Sequence, residues 1–280
     1  MLDSADKGMV VVGEARIPAL GCGTWQLRGE PCARIVAEAL RVGFRHIDTA
    51  QGYGNEAQVG DGLAAAGVRR HDVFITTKVQ PQLIADGPLQ RSVEESLKRL
   101  RVDKIDLLLV HWPNPAIPIE ESIRALCDAK RRGLVSHIGV SNFTVATLDK
   151  AIPRASEPIV TNQVEYHPYL DQTKVLAANR RHGLVTTAYC PVALGRAAGD
   201  PVLAAIGKPH VKTAPQVALR WLVQQGDVIA IPKTATAARL PENLAVFDFQ
   251  LTAGEMDQIN RLRRQGPHLV NEPAWAPAWD

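Results

Sequence analysis

The chain is poor in the features that mark disulfide scaffolds, membrane spans and nucleic-acid binders. Only four of its 280 residues are cysteine (Cys22, Cys32, Cys127 and Cys190), and no two stand as C-x-x-C. That spacing excludes the usual zinc-ribbon and thioredoxin signatures, and no metal site is expected. Buried, reduced thiols are expected instead, consistent with a cytoplasmic protein. No long apolar run occurs: stretches such as Ile105–Val110 are far too short to cross a bilayer, so no membrane partner is expected. The opening residues MLDSADKGMVVV lack a basic-then-apolar leader pattern, so no export is expected. Neither sign of charge dominates, with 32 basic against 29 acidic residues and a net charge of +3. Without a lysine/arginine stripe running through aromatics, no nucleic-acid partner is expected. What is present is ordinary globular composition, 46% hydrophobic and 22% charged.

Short β-rich runs alternate with helical patterns along nearly the whole length. Strands are predicted at residues 20–22, 46–48, 73–79, 105–110, 134–140, 159–164, 184–188 and 228–231. Helices are predicted between them, at residues 31–42 and 55–66 among others. One opens at Pro88, with Leu89, Val93, Leu97 and Leu100 along a single face. Another runs from Pro118 to a basic last turn, Lys130-Arg131-Arg132, closed by Gly133. A capping box, Thr213-x-x-Gln216 with Pro215 in the first turn, opens a further helix, and residues 236–246 follow the last strand as another. Residues 9–12 and 15–17 flank Gly13-Glu14 like a small hairpin. About eight βα units is the number for a closed (β/α)8 barrel. No linker or low-complexity stretch splits the chain. The loops after Cys190 and Gln265 read as the only long irregular ones, so residues 1–280 are read as one domain.

One motif misleads. Gly52-Tyr53-Gly54-Asn55-Glu56-Ala57 fits the dinucleotide fingerprint G-x-G-x-x-A, and Asp72 lies 72 − 52 = 20 residues on. But Asp72 precedes the next strand, whereas a ribose-binding acid belongs at that strand's far end. Eight units also do not suit an open six-stranded Rossmann sheet.

The strand ends are more informative, because a barrel collects them all on one catalytic face. In order they carry Asp48, Lys78, His111, Ser141-Asn142, Gln163, Tyr189 and Lys233. A single polar end is simply the chain returning to water; seven on one rim point to a convergent site. Lys78 and Asp48 end neighbouring strands and can pair, which a partly buried lysine needs. Tyr53 stands five residues after Asp48. A nearby ammonium is expected to lower the phenol's pKa and make it a better proton donor near neutrality. His111 can orient a carbonyl oxygen. Together they suit protonating an oxygen as it becomes an alkoxide. Taken singly, Tyr53 could be a turn aromatic, Lys78 a structural ion pair and His111 a satisfied loop histidine; the set is what persuades.

These stretches resemble the aldo-keto reductases over the whole chain. The likeness is carried by GFRHIDTA (residues 43–50), YGNE (53–56), ITTK (75–78), DLLLVHWP (106–113), GVSNF (139–143), NQVEYHP (162–168), IPKT (231–234) and Glu242-Asn243. It is greatest for compact bacterial members related to 2,5-diketogluconate reductase. The resemblance implies an NADP-dependent reductase of aldehydes and ketones, sugar-derived keto acids or diketones included. It implies a catalytic group of Asp48, Tyr53, Lys78 and His111, with Tyr53 as general acid. Ser141, Asn142 and Gln163 would hold the nicotinamide amide, and Tyr189 would stack on its ring. Lys233, Thr234, Arg239, Glu242 and Asn243 would hold the adenosine end, and Gly23, Thr24 and Trp25 would also touch the cofactor.

NADPH is therefore the expected cofactor, with NADH weaker. Lys233 and Arg239 independently place positive charge where barrels bind phosphate, and a 2′-phosphate suits an arginine fork. Close relatives often carry a further arginine where this chain has Thr236, so the preference over NADH is expected to be looser. Trp25, Trp112 and Trp275 are expected to line the substrate pocket, and Trp221, inside a helix, to be core. The tail, residues 271–280 with Trp275 and Trp279, resembles the family's C-terminal loop, which closes over substrate. A small carbonyl compound is the expected partner, and the chain is expected to be a monomer. Two rivals stand beside this reading: a non-catalytic NADP-binding sensor, and a lyase using Lys78 to form a Schiff base.

Overall fold

A computed structural model describes residues 8–263 and 267–280. The opening residues 1–7 and the start of the loop expected after Gln265 lie outside them. A two-stranded hairpin comes first, β1 (Met9–Val12) against β2 (Ala15–Pro18), antiparallel. Eight parallel strands follow: β3 (Cys22–Gly23), β4 (His46–Asp48), β5 (Phe74–Val79), β6 (Ile105–Val110), β7 (Val135–Ser141), β8 (Ile159–Glu165), β9 (Val185–Tyr189) and β10 (Val228–Ala230). Each pairs with the next in sequence. The two ends of this row meet: Leu20 bridges Ala230 and Gly23 bridges Lys233, both in parallel. Backbone hydrogen bonds from Gly21 N–H to Ala230 O (2.8 Å) and from Gly23 N–H to Pro232 O (3.0 Å) make the seam. The sheet is thus closed into the expected (β/α)8 barrel, and closure removes both exposed edges.

The connecting helices are α1 (Gly29–Val42), α2 (Glu56–Ala65), α3 (Pro88–Leu100), α4 (Ile119–Arg131), α5 (Val145–Ala151), α6 (Thr173–Arg181), α7 (Pro201–His210), α8 (Ala214–Val223), α9 (Arg239–Leu244) and α10 (Ala253–Asn260). Their buried faces follow the apolar spacing: Leu89, Val93 and Leu100 of α3 are all buried, in one continuous apolar cluster with the strands. Trp221 of α8 is buried in it, its indole N–H donating to Asn260 Oδ1 (3.1 Å). Three of the cysteines are buried, and all four are free thiols. No helix is long and apolar enough to cross a membrane, among the described residues.

Two segments differ from the sequence reading. The stretch after Cys190 is not simply irregular. It forms a 3-10 turn at Ala193–Gly199 and then α7, opened by Asp200, whose carboxylate accepts the Val202 and Leu203 N–H groups. Secondly, α9 begins at Arg239 rather than at residue 236. Thr234 Oγ1 both accepts the Thr236 N–H (3.0 Å) and donates to Thr236 O (3.1 Å), a side-chain turn that competes with a helical start.

Candidate active site

Strand alternation decides which side chains reach the barrel interior. On β5, Lys78 points inward and its neighbour Thr77 outward, donating to the buried Glu56 Oε1 of α2 (2.6 Å). Lys78 is fully buried, more so than the sequence suggested. Its ammonium donates to Asp48 Oδ1 (2.5 Å), to Thr49 O (2.8 Å) and to the Tyr53 hydroxyl (3.4 Å). The second oxygen of Asp48 accepts from Gln163 Nε2 (2.8 Å), so both carboxylate oxygens are occupied. Burial opposes charge on Lys78, but Asp48 and the phenol outweigh it and raise the amine's pKa. It stays an ammonium.

Tyr53 sits on a 3-10 turn, Gln51–Tyr53, closed by Gly54 at φ 63°. This is why G-x-G-x-x-A misleads: the second glycine closes a tight turn bearing a phenol. The turn is pinned on both sides. Gln51 Nε2 donates to Ser92 and Ser96 Oγ of α3 (3.1 and 3.0 Å), and Asn55 Nδ2 donates to Thr24 O and Leu27 O (2.9 and 3.1 Å). Asp72, the other half of the false fingerprint, pairs with Arg69 (2.8 Å) ahead of β5, at the opposite end from the strand termini.

The Tyr53 ring meets the His111 ring edge-on, centroids 5.6 Å apart. Burial first, and then the Lys78 ammonium, push the His111 imidazole well below its ordinary pKa of 6.5, so it is neutral. For Tyr53 the sequence expectation is reversed in sign. Lys78 does pull the phenol down, but burial pushes it up more, and the net shift is upward.

These groups open on a cleft of about 620 Å³ at the strand C-termini. Its walls include Asp48, Tyr53, His111, Ser141, Asn142, Gln163, Tyr189, Lys233 and Arg239, together with Gly23, Thr24, Trp25 and Trp112. Lys78 is not on the wall; it lies behind Asp48 and Tyr53. Ser141 Oγ donates to Gln163 O (2.9 Å), and Asn142 Nδ2 donates to His111 O (3.0 Å). Asn142 takes φ 62° to do so, a left-handed conformation that asparagine tolerates. The Tyr189 hydroxyl donates to Asn142 Oδ1 (2.8 Å), which fixes the ring on the cleft wall.

Several expected contacts are not brought together. Trp275 does not line the cleft, and the tail reaches it instead through Val270 and Glu272. Trp279 lies edge-on against Trp112, centroids 6.0 Å apart. Thr234 is turned into its own loop, and Glu242 Oε1 accepts the Thr213 hydroxyl (2.8 Å), so neither faces the cleft. Asn243 is likewise absent from the wall. Residues that sequence reasoning missed include Cys190, Val192, Leu194 and Gly195, after β9. Cys190, Ala193 and Leu194 all have positive φ without being glycine. Such strain clusters at functional sites, yet side-chain types alone gave no signal for it. Burial and the nearby Glu165 push the Cys190 thiol up to about 12, so it is no nucleophile.

Chemically, the cleft offers one phenol on a buried ammonium, one neutral imidazole beside it, and a shelf of hydroxyl and amide groups under a tyrosine ring. Two exposed cations, Lys233 and Arg239, lie on the same wall. This donor set fits an amide-bearing aromatic ring with phosphates at its far end. Among the described residues, no group of three histidine, cysteine or acidic side chains could hold a metal ion.

Known proteins share this arrangement's frame. The model of the Aldo/keto reductase family matches residues 19–264. Methylglyoxal reductase DkgB of Escherichia coli O157:H7 is 41% identical over 267 residues, covering 94% of this chain and 99% of that protein. Aldo-keto reductase Rv2971 of Mycobacterium tuberculosis (strain ATCC 25618 / H37Rv) is 39% identical, covering 96% and 95%. Among solved structures, a protein provisionally named 2,5-diketo-D-gluconic acid reductase B matches with a TM-score of 0.95 and 50% identity, covering 99% of each chain. An aldo-keto reductase of Bombyx mori in complex with NADP matches with a TM-score of 0.85 and 32% identity, covering 91% and 92%. With the family model spanning most of its length, this chain belongs to the aldo/keto reductase family.

Proposed function

We propose that the protein reduces small aldehydes, ketones and dicarbonyl compounds to alcohols with NADPH, and that Tyr53 is the proton donor. Family membership supports oxidoreductase activity, and the related structure with NADP supports the cofactor. The observation that carries the mechanism is the Tyr53 hydroxyl placed 3.4 Å from an ammonium that is itself locked on Asp48. Bound NADPH supplies the hydride to the carbonyl carbon. The substrate oxygen lies between the Tyr53 hydroxyl and the His111 imidazole. His111, neutral and buried, donates or directs without competing for the proton. As negative charge grows on that oxygen, Tyr53 gives up its proton, and Lys78 stabilises the phenolate left behind. Asp48 and Thr49 O keep Lys78 in place, and Gln163 keeps Asp48 from rotating away. Ser141, Asn142, Gln163 and Tyr189 would hold the nicotinamide end of the cofactor, and Lys233 and Arg239 would take its phosphates. The whole chain acts as one catalytic unit.

A Schiff base on Lys78 is disfavoured, because that amine is fully buried, charged and behind the cleft wall. A mere sensor needs none of the Tyr53–Lys78–Asp48 relay, which is complete here. With two cations rather than three at the phosphate end, NADH is the weaker but usable cofactor.

The testing experiment is a panel of small aldehydes, methylglyoxal and diketogluconate assayed with NADPH and with NADH. Oxidation of NADPH by at least one dicarbonyl, faster than with NADH, is expected. No oxidation with any member would defeat the reductase reading.

A further inference from the structure

We infer that Glu165 is a positioning residue for substrate: its buried carboxylate clasps the tail at Leu269 and Val270 and so sets Val270 and Glu272 as a wall of the cleft. The inference rests on the reductase reading for what the wall does, but not for the clasp itself. Glu165 ends β8, two residues after Gln163, so both side chains leave the same face of the strand. Gln163 holds Asp48, and Glu165 holds the tail.

The clasp is built from both sides. Glu165 Oε1 accepts the Leu269 N–H (2.9 Å) and Oε2 the Val270 N–H (2.9 Å). His167 Nε2 lies 3.0 Å from Oε1, and its Nδ1 accepts the Tyr169 N–H (3.2 Å). That second bond places the ring proton on Nε2, so His167 donates to the carboxylate. Among the described residues the tail has no strand partner here, and these two amides end on the carboxylate instead. Burial pushes the Glu165 carboxyl up in pKa, yet His167, His268 and the two backbone amides together hold it down to about 2. The acid is therefore charged throughout the working range and grips continuously.

The tail's other end is tied as well. Trp279 stacks on His268, centroids 3.8 Å apart, and leans on Trp112, while Asp280 Oδ2 accepts the Val145 N–H (2.9 Å). Between these ties the chain passes the cleft, where Val270 and Glu272 contribute to the wall. Glu165 itself is not on that wall and has no hydrogen bond to Asp48, Tyr53 or Lys78; beyond its charge beside Tyr189 and Cys190, what it positions at the cleft is the tail.

The test is hydrogen exchange and steady-state kinetics on the full chain. In Glu165→Gln, one tail amide faces an NH2 group instead of an oxygen. The Leu269 and Val270 amides should exchange about tenfold faster, that being the equivalent of one charged hydrogen bond. The β8 amides should keep their protection. KM for carbonyl substrates should rise by a similar factor, while the NADPH dissociation constant stays the same. Should Glu165→Gln fail to fold, Val270→Pro and Val270→Ala give the answer: both trim the side chain, but only proline removes the N–H. A higher KM for proline than for alanine supports the clasp; equal values overturn it. Unchanged exchange and KM in a folded Glu165→Gln would also overturn it. If the parent enzyme reduces nothing, the reductase reading fails while the exchange data still decide the clasp.

Discussion

At the scale of single residues, the site works by setting burial against charge. Burial alone would neutralise Lys78, and it does neutralise His111; what differs is Asp48 at 2.5 Å. Removing one partner of a buried pair leaves the other uncompensated. Lys78→Met should therefore cost about 3–5 kcal/mol of stability by stranding the Asp48 charge. It should also slow reduction about 10²–10⁴-fold by removing support for the phenolate. Chemical denaturation and single-turnover kinetics read the two losses separately. The pKa directions fix a pH profile. Reduction needs Tyr53 protonated, and its pKa lies above 10; it needs His111 neutral, and that pKa lies well below 6.5. The single-turnover rate should thus be flat across neutrality, falling only in acid well below pH 6.5 and in strong alkali. A bell centred near neutrality would contradict it. The identities of these residues were legible in the sequence, because a barrel brings every strand end to one face. The sign of the Tyr53 shift was not, because neighbouring charge can be guessed from strand order but depth of burial cannot.

At the scale of elements, close approach of helices fixes the turn bearing Tyr53. Gly62 of α2 lies against α1 so tightly that an added Cβ would fall 2.6 Å from Ala33 O and 2.7 Å from Val36 Cβ. Gly62→Ala should cost about 1–3 kcal/mol by overpacking, seen as a lower denaturant midpoint at unchanged slope. α2 continues directly from the Tyr53 turn, so turnover should fall as well. Helices with strong apolar spacing, such as α3, were readable to within a residue or two. The capping box expected at Thr213 and Gln216 is present, with Gln216 Oε1 accepting the Thr213 N–H (2.9 Å). The Thr213 hydroxyl, however, goes to Glu242, a cross-element bond that withdraws a residue expected at the cofactor. The start of α9 was misread for a local reason, since the Thr234 side chain offers the backbone of Thr236 a turn that hydrophobic periodicity does not register.

At the scale of the whole molecule, closure of the sheet makes the rim, and the tail finishes the cleft. The seam through Gly21 and Gly23 needs residues without side chains: a Cβ on Gly23 would sit 2.9 Å from Ile231 O. Eight units predict a closed barrel, but which tail residues face substrate depends on contacts far apart in sequence. Hence Trp275 was expected on the wall where Val270 and Glu272 stand. The same long-range contact has a consequence for acid stability. The Glu165 carboxyl is depressed from 4.5 to about 2 on folding, so its contribution is complete above pH 4.5 and vanishes as pH falls towards 2. That contribution is about 3 kcal/mol, and melting temperatures of the parent and of Glu165→Gln should converge across that window. The account as a whole turns on a phenol that delivers one proton. The most direct measurement is single-turnover reduction by Tyr53→Phe, alongside fluorescence titration with NADPH. The account predicts turnover lost by about 10²–10⁴-fold with NADPH affinity unchanged; a variant that reduces substrate at the parent rate would contradict it.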